Sequence, residues 1–202
     1  MALWLAKKPL VLASRSSARQ MLLAGAGVPL DVRPADLDER HLEGGAESPA
    51  PGAIAAHLAR AKAAAVAKLS PGRLTLGADQ TLALDTECFA KPSDRAAASA
   101  QLRALRGRTH KLHSAIAYVQ DSHVLFEHVS VARLTMRVFS DEFLELYLDA
   151  VGGAATASVG GYQIEGLGIQ LFERVEGDYF TVLGLPLTEA LAFLRRRGCL
   201  AQ

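Results

Sequence analysis

The chain has 202 residues, enough for one large domain or two small lobes around a sizeable core. Half of its residues are hydrophobic and 21% are charged, the balance of a soluble globular protein and not of a disordered one. A formal net charge of +1 argues against a broad nucleic-acid-binding face, so any basic site must be local.

Cys88 and Cys199 are far apart and form no C-x-x-C, which points away from a disulfide framework or a zinc knuckle. Residues 1–6 are apolar but few, and Lys7 and Lys8 follow them instead of preceding them, which makes a poor signal peptide. No later run is long enough to span a bilayer. The expectation is a cytoplasmic enzyme or binding protein without a membrane or nucleic-acid partner.

In chain order, Pro9-Leu10-Val11 predicts a strand. Leu12-Ala13-Ser14-Arg15-Ser16-Ser17-Ala18-Arg19 follows it and runs directly into an apolar-periodic stretch, a strand–turn–helix order. Unpaired backbone N–H groups and the positive end of the dipole gather where such a helix begins. Three serines and two arginines there make the turn a candidate phosphate seat. A capped helix with a solvated basic edge accounts for the same residues. Met21, Leu22 and Leu23 are expected in the core, with Gly25 and Gly27 closing the helix. Residues 28–32 read as a second strand that delivers the acidic loop Asp36-Leu37-Asp38-Glu39. Residues 43–52, rich in Gly, Ser, Ala and Pro, read as a mobile surface loop.

Residues 53–69 predict a helix in which Ile54, Leu58, Lys62 and Val66 form an i, i+4 ladder, so Lys62 projects from an otherwise apolar face. A lysine snorkelling at the edge of the stripe and a lysine aimed into a cleft both fit that pattern. Residues 74–84 alternate, with Ala78 and Gln80 on one face and Gly77 and Asp79 on the other. A turn at 85–87 permits a hairpin back through Cys88 to Lys91-Pro92. Residues 94–105 predict a helix capped by Ser93 and ended by Gly107. Strands at 111–119 and 124–138 follow, joined by a polar turn, and Ser140 caps a helix carrying Asp141 and Glu142 in its first turn. Residues 152–168 are glycine-dense and match no single element; 169–174 and 179–183 read as a hairpin around Gly177-Asp178, and 187–197 as a last helix. Strands and helices interleave while several neighbours look like hairpins, which favours a mixed sheet in an α/β protein.

Asp79 is the carboxylate that stands out, inside an apolar strand and directly after Gly77-Ala78, two small residues that let something approach the backbone closely. A structural aspartate satisfied by neighbouring N–H groups is the other reading. Two acidic spots, Asp79 and the Asp38-Glu39 loop, suit a divalent cation bound by one or two carboxylates plus substrate phosphates. Arg19, Lys62 and Lys91 suit the remaining phosphate charge. The chain lacks a Walker G-x-x-x-x-G-K-[ST] loop, G-x-G-x-x-G and G-x-S-x-G, which weakens the P-loop, dinucleotide-binding and serine-hydrolase readings. His110 and His113 would face opposite sides of a strand, so zinc is not supported.

Leu12-Ala13-Ser14-x-Ser16-x-x-Arg19, Asp38-Glu39, Lys62, Gly77-Ala78-Asp79, Lys91-Pro92 and Gly184-Leu185-Pro186-Leu187 resemble, in order, the Maf family of nucleoside triphosphate pyrophosphatases. The spacing Gly107-x-x-His110 and the run Tyr162-Gln163-Ile164-Glu165-Gly166 are also similar, and the resemblance extends from about Leu10 to Leu194. It implies a cytoplasmic enzyme that cleaves a nucleoside triphosphate to the monophosphate and pyrophosphate. It also implies one domain over residues 1–202 with an α/β fold similar to inosine triphosphate pyrophosphatases: a long mixed β-sheet with flanking helices, two lobes around a cleft, and a homodimer. By position, Asp79 resembles the catalytic acid/base residue or the ligand of the metal that activates water, and Glu39 the residue that serves that metal or the water. The metal expected is Mg²⁺, with Mn²⁺ as the alternative. Ser14 and Arg19 resemble phosphate contacts, with Lys62 and Lys91 neutralising the triphosphate. Ser17 stands where the family usually has Pro, and Gln20 where a second Arg is common, which leaves the seat one cation short.

Gln80 and Glu165 occupy the positions that help distinguish substrates, and they are similar to the branch acting on 7-methyl-GTP; thymidine- and uridine-type members tend to carry Thr and Gln there. Leu171-Phe172-Glu173-Arg174 with Glu176-Gly177 is similar to that branch too. A carboxylate at Glu165 could accept from guanine N1–H and the exocyclic amine. Ala18, where that branch tends to have Trp, cannot stack on a base. The other substrate reading is dTTP or UTP. Two different classes stay beside the enzyme: a nucleotide-binding cell-division regulator with little catalysis, and a sugar-phosphate or nucleotidyl transferase that shares only the opening motif.

Overall fold

The computed structural model describes residues 3–39, 42 and 45–202. The first two residues of the apolar leader and Glu43-Gly44 of the expected 43–52 loop lie outside the described residues; 45–50 are turn and bend. The elements are β1 (Leu10–Leu12), α1 (Ser17–Gly25), β2 (Leu30–Val32), α2 (Pro51–Lys68), β3 (Leu74–Leu84), β4 (Glu87–Phe89), α3 (Arg95–Leu105), β5 (Thr109–Gln120), β6 (His123–Met136), α4 (Asp141–Val151), β7 (Phe172–Glu176), α5 (Tyr179–Val182) and α6 (Leu187–Arg196). The glycine-dense stretch holds three short 3₁₀ segments, Gly152–Thr156, Val159–Gly161 and Leu167–Leu171. The strands form a seven-stranded mixed sheet in the order β2-β1-β3-β5-β6-β7, with β4 paired to β3. β1 runs parallel to β2 and β3, while the β3–β4 and β6–β7 pairs are antiparallel. Among the described residues no helix is long and apolar enough to cross a membrane.

The chain divides into two compact units, residues 1–80, 113–130 and 178–202 in the first, 81–112 and 131–177 in the second. In the first, Leu10, Leu12, Leu76, Ala78, Ile116 and Tyr118 pack with Leu187, Ala190, Phe193 and Leu194 of α6. A separate cluster is built almost wholly of alanine: Ala55, Ala59, Ala63 and Ala67 of α2 against Ala115, Ala117 and Val119 of β5. Small side chains on both elements let the helix lie close to the sheet. Closest of all is Gly77, where a Cβ would overlap the Ala59 carbonyl oxygen and stand 2.7 Å from the Ala63 nitrogen. What the small Gly77-Ala78 pair admits is therefore helix α2 itself.

In the second unit His110, Tyr162 and Phe172 form a ring cluster, with His110 Nε2 2.7 Å from the Tyr162 hydroxyl. The Gly107-x-x-His110 and Tyr162-to-Gly166 motifs thus meet. His110 Nδ1 is buried without a hydrogen-bond partner among the described residues, and desolvation lowers the imidazole pKa from 6.5 to about 4.

Several local expectations are corrected. Met21 is exposed, and only Leu23 of its trio is buried, because one face of a nine-residue helix reaches the core. Asp94, not Ser93, caps α3: its Oδ1 accepts from Ala97 N at 2.8 Å. Residues 179–182 are helical, not a strand, since Asp178 Oδ2 accepts from both the N–H and the hydroxyl of Thr181 at 2.8 and 3.0 Å. β7 accordingly pairs with β6 and has no hairpin partner after it. Residues 74–84 and the Ser140 cap stand as expected.

Two outcomes follow from this packing. Gly77→Ala forces α2 off the strand and lowers unfolding free energy in denaturant titration by about 1–3 kcal/mol. For His110, the unfolded chain takes up a proton below about pH 6.5 while the native chain stays neutral until about pH 4. Stability therefore falls as pH drops through that window, by about 3 kcal/mol in total. The His110→Gln variant shows a correspondingly flatter profile between pH 7 and pH 4.

Candidate active site

β1 and β3 pair in register as far as Leu12↔Leu76, and the last ladder bond runs from Ala13 N to Leu76 O at 2.8 Å. Beyond it β1 turns away toward α1, and the Ala78 carbonyl of β3 accepts instead from Arg19 Nη1 at 2.7 Å. The carboxyl ends of parallel strands are where open α/β sheets receive ligands. Ser16 caps α1 by accepting the Arg19 N–H at 3.3 Å. Ser14 Oγ accepts from Ser16 N and from Arg19 Nη1, both at 3.2 Å. Arg19 Nε donates to the Gly184 carbonyl at 2.8 Å. With Nε and Nη1 committed to the protein, Nη2 is the guanidinium edge that makes no hydrogen bond among the described residues. Burial lowers the Arg19 pKa, while the charges of Asp79 and Glu39 raise it.

Period-two geometry sends Asp79 to the same face of β3 as Gly77, toward α2. Lys62 lies on the buried face of that helix with Ala55, Ala59, Ala63 and Val66. Its Nζ reaches Asp79 Oδ1 at 2.6 Å and Glu39 Oε1 at 3.0 Å. The Lys62 and Asp79 side chains are only 11% and 10% exposed, against 53% for Glu39. Lys62 is thus neither a snorkelling edge residue nor an isolated cation. A pair this buried adds little net stability, because desolvation offsets attraction, yet losing one partner costs about 3–5 kcal/mol.

Gln80 faces the opposite way. Its Nε2 lies 2.9 Å from Ser114 Oγ, 3.1 Å from Thr181 O and 3.1 Å from Val182 O. Ser114, fully buried on β5, donates its hydroxyl to Thr181 O at 2.7 Å. Sequence reasoning missed Ser114, and it named Gly184 only within the Gly184-Leu185-Pro186-Leu187 motif, without its carbonyl's bond to Arg19. Both act through long-range hydrogen bonds that leave no local pattern.

Ser14, Arg19, Glu39, Lys62, Asp79 and Gln80 all belong to the first unit. Lys91, just beyond β4, and Glu165, between two 3₁₀ segments, belong to the second, and both are exposed. Asp79 and Glu39 present carboxylate oxygens converging on one cationic point, a donor set that suits a hard divalent cation. Among the described residues no group of three or more His, Cys, Asp or Glu could hold a metal. Asp79 and Glu39 are two carboxylates that meet here, a number Mg²⁺ commonly takes when waters and phosphates complete its shell.

The profile of the family described as Maf-like protein matches residues 9–197. A Rhodopseudomonas palustris protein named nucleoside triphosphate pyrophosphatase is 57% identical over 201 residues, 100% of each chain. A Bradyrhizobium diazoefficiens protein of the same name is 55% identical over 201 residues, again 100% of each. A Mesorhizobium japonicum protein named 7-methyl-GTP pyrophosphatase is 49% identical over 193 residues, 95% of this chain and 97% of that one. Among solved structures, a HAM1 protein from Coxiella burnetii matches with a TM-score of 0.44 and 18% identity, covering 63% of this chain and 72% of its own. Matched along nearly its whole length by the family profile and end to end by these relatives, the chain belongs to the Maf family.

Proposed function

We propose that this chain hydrolyses a nucleoside triphosphate to the nucleoside monophosphate and pyrophosphate. The observation that carries the reading is the Glu39–Lys62–Asp79 cluster midway along β3, just past the end of β1, with Arg19 held beside the same strand by Ala78 O. Full-length identity of 57% to a protein named for that activity supports it.

Water attack on the α-phosphorus requires an oriented nucleophile and positive charge on the transferring and leaving groups. Lys62 fixes Asp79 through Oδ1, which leaves Oδ2 to orient the attacking water and receive its proton. Arg19 Nη2 and the Lys62 ammonium meet phosphate oxygens and stabilise the charge that develops on departing pyrophosphate. Arg19 and Lys62 are balanced by Asp79 and Glu39, so the charge of the triphosphate calls for a further cation. Glu39, joined by Asp79 where that carboxylate serves as ligand instead of base, would hold Mg²⁺ or Mn²⁺, which when bound supplies that charge neutralisation.

For the base, the reading is a modified purine nucleotide, 7-methyl-GTP. The 49%-identical Mesorhizobium relative of that name supports it.

Pyrophosphate release from GTP, 7-methyl-GTP, dTTP and UTP, followed as phosphate after added inorganic pyrophosphatase, tests both levels. Wild-type protein with Mg²⁺ releases pyrophosphate, most rapidly from 7-methyl-GTP, and EDTA abolishes release. Asp79→Asn lowers turnover about 10²-fold or more with an unchanged circular dichroism spectrum. No release from any triphosphate would overturn the activity. Fastest turnover of dTTP or UTP would overturn the base assignment alone.

A further inference from the structure

We infer that Lys62 holds the place of the divalent cation in the free protein, and that its contact with Glu39 couples metal binding to triphosphate binding. Metal on Glu39 releases an ammonium donor to the phosphates, so each ligand strengthens the binding of the other. The inference rests on the pyrophosphatase reading of the same site and adds what ties its two ligands together.

Lys62 Nζ lies 2.6 Å from Asp79 Oδ1 and 3.0 Å from Glu39 Oε1, so both carboxylates are already neutralised at one point. A hard cation seeking those oxygens meets an ammonium in possession of them. The two contacts are unequal. Asp79 and Lys62 are almost wholly buried, and parting them would leave an uncompensated charge in the interior. Glu39 is half-exposed, and an ion pair on that side is worth little against water. The exchange that costs least therefore leaves Lys62 on Asp79 and passes only Glu39 to the metal.

The ammonium gains a free donor by this exchange. It carries three hydrogens, of which Asp79 and Glu39 engage two. Glu39 also opposes phosphate more widely, since its charge and that of Asp79 both act on Arg19. Triphosphate approaching the metal-free protein competes with Glu39 for Lys62. Metal approaching the phosphate-free protein competes with Lys62 for Glu39. Each ligand thus removes the other's competitor, and linkage requires the same factor in both directions.

Glu39→Asp keeps the charge but draws it back by one methylene from the 3.0 Å contact, which separates that contact from long-range electrostatics. Calorimetric titration with inorganic tripolyphosphate in EDTA reads one half of the exchange, and titration with Mn²⁺ without phosphate reads the other. Glu39→Asp tightens metal-free tripolyphosphate binding about tenfold, and changes it little in a Lys62→Met background. Lys62→Met tightens Mn²⁺ binding about tenfold where Glu39 is intact, and changes it little beside Glu39→Asp. If Lys62→Met does not fold, Lys62→Gln, whose amide still donates to Asp79, takes its place. Unchanged affinity in either single variant, weaker Mn²⁺ binding by Lys62→Met, or equal effects in both backgrounds would overturn the inference. No Mn²⁺ binding by any variant would overturn it as well. Both couplings without pyrophosphate release from any nucleotide would end the pyrophosphatase reading and leave this one standing. Release with neither coupling would do the reverse.

Discussion

Helix α2 runs against β3 at a separation that only glycine on the strand and alanine on the helix permit, and at Gly77 a single added carbon would collide with the helix backbone. That closeness lets a lysine at the next inward position of α2 reach a carboxylate two residues further along the strand. With larger side chains at 59, 63 or 77 the helix would ride higher, and the 2.6 Å contact between Lys62 and Asp79 would open. The alanine-rich composition of α2 is thus part of the site's construction and not merely a helix-forming convenience.

The strand then sorts the chemistry by parity. Gly77 and Asp79 face α2, and Ala78 and Gln80 face the cluster that includes Leu185 and α6. Arg19 ties the two sides together, since it binds the Ala78 carbonyl on the strand and the Gly184 carbonyl on the turn that Gln80 holds. Parallel pairing ends at Leu12↔Leu76, which frees the Ala78 carbonyl for this use. The position of Arg19 beside β3 therefore follows from where β1 stops.

Much of this was legible in the chain. The strand–turn–helix at Ser14–Arg19, the limits of β3, and the suspicion attached to Lys62 and Asp79 all rest on short-range periodicity and capping, which sequence carries directly. Misreadings arose where two local rules compete. Asp94 took the cap from Ser93, and Asp178 with Thr181 turned an apolar run into a helical turn instead of a strand. Met21 shared the composition of the core without its angular position. The bonds Arg19–Gly184 and Gln80–Thr181 join residues more than a hundred positions apart, and no window along the chain contains both partners.

The role proposed for the buried Lys62–Asp79 pair is in triphosphate hydrolysis and not in folding. The double variant Lys62→Met/Asp79→Asn tests it most directly, with unfolding free energy and pyrophosphate release measured on the same preparation. Removing both charges spares the protein an unpaired buried ion, so stability should return to within about 1–2 kcal/mol of wild type. Hydrolysis should stay abolished. A double variant that regains wild-type turnover along with its stability would contradict the account and leave the pair a structural ion pair alone.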